Sequence, residues 1–325
     1  MKMKEKRTAR DSAPSKGLVL GLALAVIGAM VGAAEILKIE DIIFPEAAAL
    51  TIGFWIAPVC PWRVEPQKGV AMMVIAGVLG YGISALLPAP LLVKIAAGYG
   101  CGAALIVLSR SSLYPVFSAV MLPVILGVDT SAYVAAVAVL ASVILLLSGA
   151  VHGGAGAAQP EQEGALPVKV QLIRFGLLLA FVLILAVLGV RLGHMMFIAP
   201  PLIVGAAGIV DNPKPIPILL LVKILILCAA AAVLGAGCRL ALTETMGIAA
   251  WISAAAAFAL VLLLAWRWGL WFPPAGAVTL LAYLVPARGL PTYFLWIALG
   301  AAALGASAVA VRLITKKQTD KPLRY

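Results

Sequence analysis

The sequence predicts an all-α polytopic membrane protein. It is built as two tandem homologous halves of about five to six membrane elements each, with short or broken helices. Three observations predict this. The first is composition: of 325 residues, 64% are hydrophobic and 11% charged, against about 25% charged in soluble domains. A chain this apolar belongs in lipid. The second is a proline-opened apolar stretch, Trp271-Phe272-Pro273-Pro274-Ala275-Gly276-Ala277-Val278-Thr279-Leu280-Leu281, and its weaker copy, Leu113-Tyr114-Pro115-Val116-Phe117-Ser118-Ala119-Val120-Met121-Leu122-Pro123. Proline lacks an N–H and fixes φ, so it suits the first turn of a helix and damages the interior. Each copy therefore marks a helix start inside an apolar region. The third is recurrence. Ile43-Phe44 matches Met196-Phe197 at an offset of 153, residues 78–82 match 233–237 at 155, and Pro115 matches Pro273 at 158.

Residues 1–16 form a basic tail carrying Lys2, Lys4, Lys6, Arg7, Arg10 and Lys16. The first membrane repeat covers 17–150. Its opening apolar run, 17–34, has the layout of a signal peptide but is long, and a hydrophobic bundle follows, so an uncleaved first span is expected. Residues 44–59 are apolar but short for a crossing, which needs about 20 residues, and Pro45 stands at their head. Spans follow at 69–87 and 91–109, then the proline-opened piece at 113–127, then a span at 132–147. The 69–87 span is rich in glycine and alanine, which lets helix backbones approach closely. Residues 151–170, rich in Gly, Ala, Gln, Glu and Pro, read as a flexible linker. The second repeat, 171–315, gives spans at 175–190, 216–237, 248–264 and 291–313. Its short pieces are 195–210, carrying Pro200 and Pro201, and the stretch at Pro273. A basic tail at 316–325 ends the chain.

The formal charge of +11 points away from nucleic acid and toward membrane edges, where Lys and Arg gather on the cytoplasmic side. With the N-terminus in the cytoplasm and every element crossing, both basic tails plus Arg63, Lys68, Arg110, Lys169, Arg174, Lys214 and Arg267 fall inside. Lys38, Arg191, Arg239 and Arg288 fall outside. Both termini are then cytoplasmic, as in a multi-pass protein of a bacterial cytoplasmic membrane. Six crossings per half make the repeats parallel; re-entrant pieces would leave five and make them inverted. Cys60, Cys101, Cys228 and Cys238 are scattered and read as packing residues. The two histidines do not suffice for a histidine-rich metal site, and His194 reads as interfacial. No HExxH, P-loop, GxSxG or dinucleotide fingerprint occurs. No enzyme, catalytic residue, metal or cofactor is expected.

Charged residues in apolar segments are costly and are functional candidates. Lys94 and Lys223 are two, each with snorkelling to an interface as the plain alternative. Glu46, in the first turn of a short segment, is either a cap on the helix dipole or a proton- or cation-coupling group. Interrupted helices at matching positions of two repeats point to a midplane site, and here four lie near Pro45, Pro115, Pro200–Pro201 and Pro273–Pro274. Helix N-termini favour anions. The expected substrate-binding set is therefore Lys94, Lys223, Tyr114, Pro115, Ser118, Phe272, Pro273, Pro274, Gly276 and Thr279, with Glu46 for coupling. The expected partners are the lipid bilayer and a small anionic solute; self-association is left open.

The stretch Phe272-Pro273-Pro274-Ala275-Gly276-Ala277-Val278-Thr279-Leu280-Leu281 resembles the motif of the HPP family of bacterial and plastid membrane proteins. Pro45-Glu46-Ala47-Ala48-Ala49-Leu50 and Val64-Glu65-Pro66-Gln67-Lys68-Gly69 are similar to its upstream region. The motif histidine is replaced by Phe272 in one copy and by Tyr114 in the other, and Val116 replaces the second proline in the first copy. Family members are usually single units, so this chain resembles a fused pair. The resemblance implies passage of nitrite or a similar small anion. The alternatives are an aromatic or organic acid exporter, which the alanine-rich helices and short basic loops also resemble, and a membrane scaffold or assembly subunit.

Overall fold

The structure is a computed structural model. It describes residues 14–152, 166–214 and 216–319. Most of the N-terminal tail, most of the linker and the end of the C-terminal tail lie outside the described residues. Among the described residues there are twelve principal helices and no strand. Eight are long and apolar enough to cross a membrane, and the protein is a multi-pass membrane protein.

The first half runs α1 (Lys16–Leu37), α2 (Glu46–Thr51), α3 (Pro66–Tyr81), α4 (Leu91–Ser109), α5 (Pro115–Leu126) and α6 (Ala132–Val151). The second half repeats the order as α7 (Val168–Leu192), α8 (Pro200–Asp211), α9 (Ile218–Cys238), α10 (Ala250–Trp268), α11 (Pro273–Leu281) and α12 (Leu290–Thr319). Even irregularities recur. Both α3 and α9 continue past their regular ends as wider π-type turns, Gly82–Leu86 and Arg239–Thr245. Proline occupies the first turn of α5, α8 and α11, where its missing N–H costs nothing.

Two layers result. The short helices α2, α5, α8 and α11 form the core: α2 and α11 are buried along their whole length, and α5 from Pro115 to Ile125. A helix apolar all round belongs inside a bundle. The eight long helices surround them and leave apolar side chains such as Leu108, Ile184, Leu219 and Leu313 on the outer surface, as lipid contact requires. Across the halves, α2 packs on α11 and α5 on α8, while α1 packs on α10 and α4 on α7. Each inter-half pairing thus has its counterpart, which is the signature of a pseudo-two-fold axis.

Side chains fix the direction of each element. Lys68 at the start of α3 donates to Ser109 O at the end of α4 (2.6 Å), whereas Ser84 at the far end of α3 donates to Pro123 O of α5 (2.8 Å). Thr130, after α5, meets Asp41, after α1 (2.7 Å). Past Thr51, α2 continues as wider π-type turns, Ile52–Ile56, and these come back to the start of α1, because Trp55 and Ile56 share a cavity with Lys16 and Val19. All six elements of a half therefore traverse the bundle. Gln171 at the start of α7 reaches Asp211 and, through it, Tyr114, so α7 starts at the same end as α1. The repeats are parallel.

Three sequence expectations are refined. The span expected at 175–190 is longer at both ends, and its helix starts at Val168 within the expected linker. Arg174 broke the apolar run, but its guanidinium is buried and bonded to Val210 O and Thr315 Oγ1 (2.8 and 2.9 Å). The second refinement is register. Gly80 lies against the Val120 carbonyl, where a Cβ would stand at 2.6 Å, and Gly235 abuts Thr279 in the same way. Tyr133 donates to Ala119 O (2.8 Å) and Tyr293 to Val278 O (2.6 Å). These contacts match Pro115 with Pro274 rather than with Pro273. The third is the four cysteines, which are free: Cys60 and Cys228 are buried, Cys101 and Cys238 half-buried.

Candidate functional site

The short helices put backbone ends at membrane depth, where unpaired carbonyls are costly. Basic side chains meet many of them. Arg174 and Arg312 donate to Val210 O and Ile209 O at the end of α8 (2.8 and 3.0 Å). Arg239 donates to Ala282 O and Val285 O beyond α11 (2.8 and 2.7 Å). Lys94 donates to Ser84 O (2.8 Å), whose hydroxyl in turn bonds Pro123 O of α5. Lys94 is thus an end-capping residue at the end of the bundle remote from the start of α1. Lys223 is exposed, in the second turn of α9, on the outer surface. Neither lysine reaches the centre. The role expected of them there has no geometric basis in this fold.

The centre instead holds Glu46. It heads α2 and is 1% exposed. Its Oε1 accepts from the Ser118 hydroxyl of α5, and its Oε2 has no hydrogen-bond partner among the described residues. A polar atom buried without a partner costs about 1–3 kcal/mol, so a place in the first turn does not by itself account for this carboxylate. Beside Ser118, the Tyr133 hydroxyl holds the Ala119 carbonyl. Ser118 is one turn beyond Tyr114, on the same side of the chain entering α5.

Tyr114 opens onto a cavity of about 390 Å³ at the end where α1 and α7 begin. The cavity is lined by both copies of two loops. Trp62 and Arg63 come from the link between α2 and α3, Asp211 ends α8, and Asn212 and Lys214 come from the link between α8 and α9. Ser112 and Tyr114 precede α5, as Trp271 and Phe272 precede α11, with Pro273 and Pro274 behind. Loops of both halves line it, so this axial cavity lies where the halves meet, with most of its lining from the second half. Its polar frame is ordered. The Tyr114 hydroxyl donates to Asp211 Oδ2 (2.8 Å), Gln171 bonds both oxygens of the same carboxylate, and the Arg63 N–H donates to Ser112 Oγ (2.8 Å). Gly208 of α8 accepts the Tyr114 ring and Gly205 the Phe272 ring; a Cβ at these positions would stand 3.4 and 2.9 Å from the respective rings.

The expected site set therefore divides. Tyr114, Phe272, Pro273 and Pro274 meet at this cavity, and Ser118 meets Glu46 beneath it. Pro115, Gly276 and Thr279 are packing residues. Pro115 is buried in the first turn of α5. A Cβ on Gly276 would stand 2.7 Å from Ile52 and 3.3 Å from Ala48, both of the opposite half. The Thr279 hydroxyl is taken up by Ala275 O of its own helix (3.0 Å). Sequence reasoning placed Arg63 and Lys214 in loops and gave them no role. Asp211 and Gln171 were missed; the polar run opening at Asp211, matching the Arg63 loop, was the one available signal.

No family model, curated protein or solved structure significantly matches the chain.

Proposed function

We propose that the protein is a secondary transporter that moves an anion along the axis between its two halves, with Glu46 carrying the coupling proton. The observation that carries this reading is the axial cavity, which sets Arg63 and Lys214 beside the start of α11, with the Glu46–Ser118 pair one helical turn deeper. Cations and a helix N-terminus favour a negative ligand. Asp211 is held by Tyr114 and Gln171 rather than facing the ligand alone. The cationic role expected of Lys94 and Lys223 passes to Arg63 and Lys214. Alternating access would come from rocking one half on the other about the fixed site. The resemblance to the HPP family favours nitrite or a similar small anion over a non-transport scaffold.

The end bearing the cavity is taken as cytoplasmic. It carries Lys16, Arg63, Lys68, Arg110, Lys169, Arg174, Lys214, Arg267, Arg312 and Lys316 with Glu65 and Asp211, whereas the other end mixes Lys38, Lys94, Arg191, Arg239 and Arg288 with Glu35, Glu40, Asp41, Asp129 and Glu244. This agrees with the positive-inside rule for a bacterial cytoplasmic membrane and opens the cavity to the cytoplasm. The test is uptake into proteoliposomes of nitrite, nitrate, formate, bicarbonate and an aromatic carboxylate, each with and without a proton gradient. Saturable, gradient-sensitive passage of one anion is expected. No flux of any from folded protein would overturn the reading and favour a scaffold.

A further inference from the structure

The bond between Tyr114 and Asp211 crosses from one half to the other. Tyr114 stands at the head of α5, and Asp211 ends α8 (2.8 Å). The Asp211 carboxylate is anchored in its own half, because Gln171 of α7 donates to both of its oxygens (3.0 and 2.9 Å). Contacts that hold this duplicated fold together occur twice: Gly80 meets α5 as Gly235 meets α11, and Tyr133 bonds Ala119 O as Tyr293 bonds Val278 O. The Tyr114–Asp211 bond has no counterpart among the described residues. In the register of Pro115 with Pro274, Pro273 takes the place of Tyr114, and residues 52–64, the end of α2 and its following loop, contain no Asp or Glu. Packing of the fold therefore does not explain this pair.

A different contact joins the halves at the opposite end. Glu35, near the end of α1, accepts from the Ala250 N–H at the start of α10 (3.3 Å). Gly28 and Gly32 of α1 lie against Trp251, where an added Cβ would stand 3.6 Å away. Rocking that parts the halves at the basic end can pivot on these contacts, but it separates Tyr114 from Asp211. Both residues line the axial cavity with Arg63 and Lys214. A tyrosine hydroxyl has one proton to donate. An anion in the cavity competes with Asp211 for that proton and repels the carboxylate as a like charge.

We propose that the Tyr114–Asp211 bond is a latch between the halves at the basic end, and that a bound anion releases it by taking the Tyr114 hydroxyl. Tyr114 then contacts the anion, and Asp211 is a positioning residue that holds the hydroxyl until the anion arrives. The latch rests on the anion-transport reading and adds to it how occupation of the cavity is tied to its opening.

Val204→Cys places a thiol in the cavity lining at a position 4% exposed. Its alkylation by N-ethylmaleimide, read at that residue by peptide mass spectrometry, reports opening. Alkylation is measured in proteoliposomes of the full chain with and without nitrite, formate or benzoate, beside uptake of the same anions. Tyr114→Phe keeps the ring on Gly208 and removes the bond. Added to Val204→Cys, it is expected to speed alkylation about fivefold without any anion, and a carried anion is expected to speed it no further. With Tyr114 intact, the carried anion is expected to produce that rise itself. Asp211→Asn leaves Tyr114 an acceptor without the charge, so KM for the carried anion is expected to fall about fivefold with the maximal rate little changed. Equal alkylation with and without Tyr114→Phe overturns the latch, whichever anion is carried. A carried anion that leaves alkylation unchanged, or an unchanged KM in Asp211→Asn, overturns release by the anion and leaves the anion-transport reading standing. No uptake of any anion by folded protein overturns that reading and the anion-released latch with it.

Discussion

At the residue scale, the burial of Glu46 separates a coupling group from a cap. Its place in the first turn of α2 suits a cap, but Glu46 also bonds Ser118 on another helix and leaves Oε2 unmatched. Glu46→Gln keeps the shape and can still accept from Ser118, but it cannot exchange a proton. Down-gradient passage is expected to persist, while accumulation driven by a proton gradient falls at least tenfold. Equal accumulation by the variant would remove Glu46 from the mechanism. Lys94 makes the opposite case. Its bond to Ser84 O is partly exposed, so Lys94→Ala is expected to cost about 0.5–1.5 kcal/mol, read as a lower melting temperature in detergent, with transport otherwise kept.

At the scale of the element, the short helices are held by matched contacts on either side of the axis. Gly80 and Gly235 bring α3 and α9 onto the carbonyls of α5 and α11. Gly235→Ala drives a methyl group into backbone, which cannot give way as a side chain can. A loss of about 1–3 kcal/mol is expected, with Gly237→Ala, whose Cβ would meet open space, as the unaffected comparison in thermal unfolding. The elements themselves were legible because prolines mark the starts of α5, α8 and α11 and because apolar length separates the long helices from the short. What escaped the sequence were polar residues satisfied by distant partners. Arg174 looked like the edge of a span, yet its partner Thr315 lies on α12. Lys223 looked intramembrane and central, because hydropathy gives depth along a helix but α9, apolar all round, gives no facing.

At the scale of the molecule, the parallel arrangement makes the two halves present equivalent loops to the same side. Single cysteines replacing Asp129 and Arg288, both exposed in loops that precede the last helix of each half, are expected to react with an impermeant thiol reagent from one face. A cysteine replacing Lys169 is expected to react from the other. Labelling of Asp129→Cys and Arg288→Cys from opposite faces would mean inverted repeats. Duplication was readable from recurring prolines and glycines. The meeting of four separate loops at one axial cavity was not, because no residue in any of them reports its distance to the others. That cavity is the central claim, and paired uptake assays of Arg63→Gln and Lys223→Ala test it most directly, using whichever anion the wild type carries. Lys223 faces outward, so its variant is expected to stay within about twofold of wild type, while Arg63→Gln loses a cavity cation and, at about 1.5–3 kcal/mol for a charged hydrogen bond, falls at least tenfold. Loss of uptake in Lys223→Ala with Arg63→Gln unaffected would contradict the axial pathway.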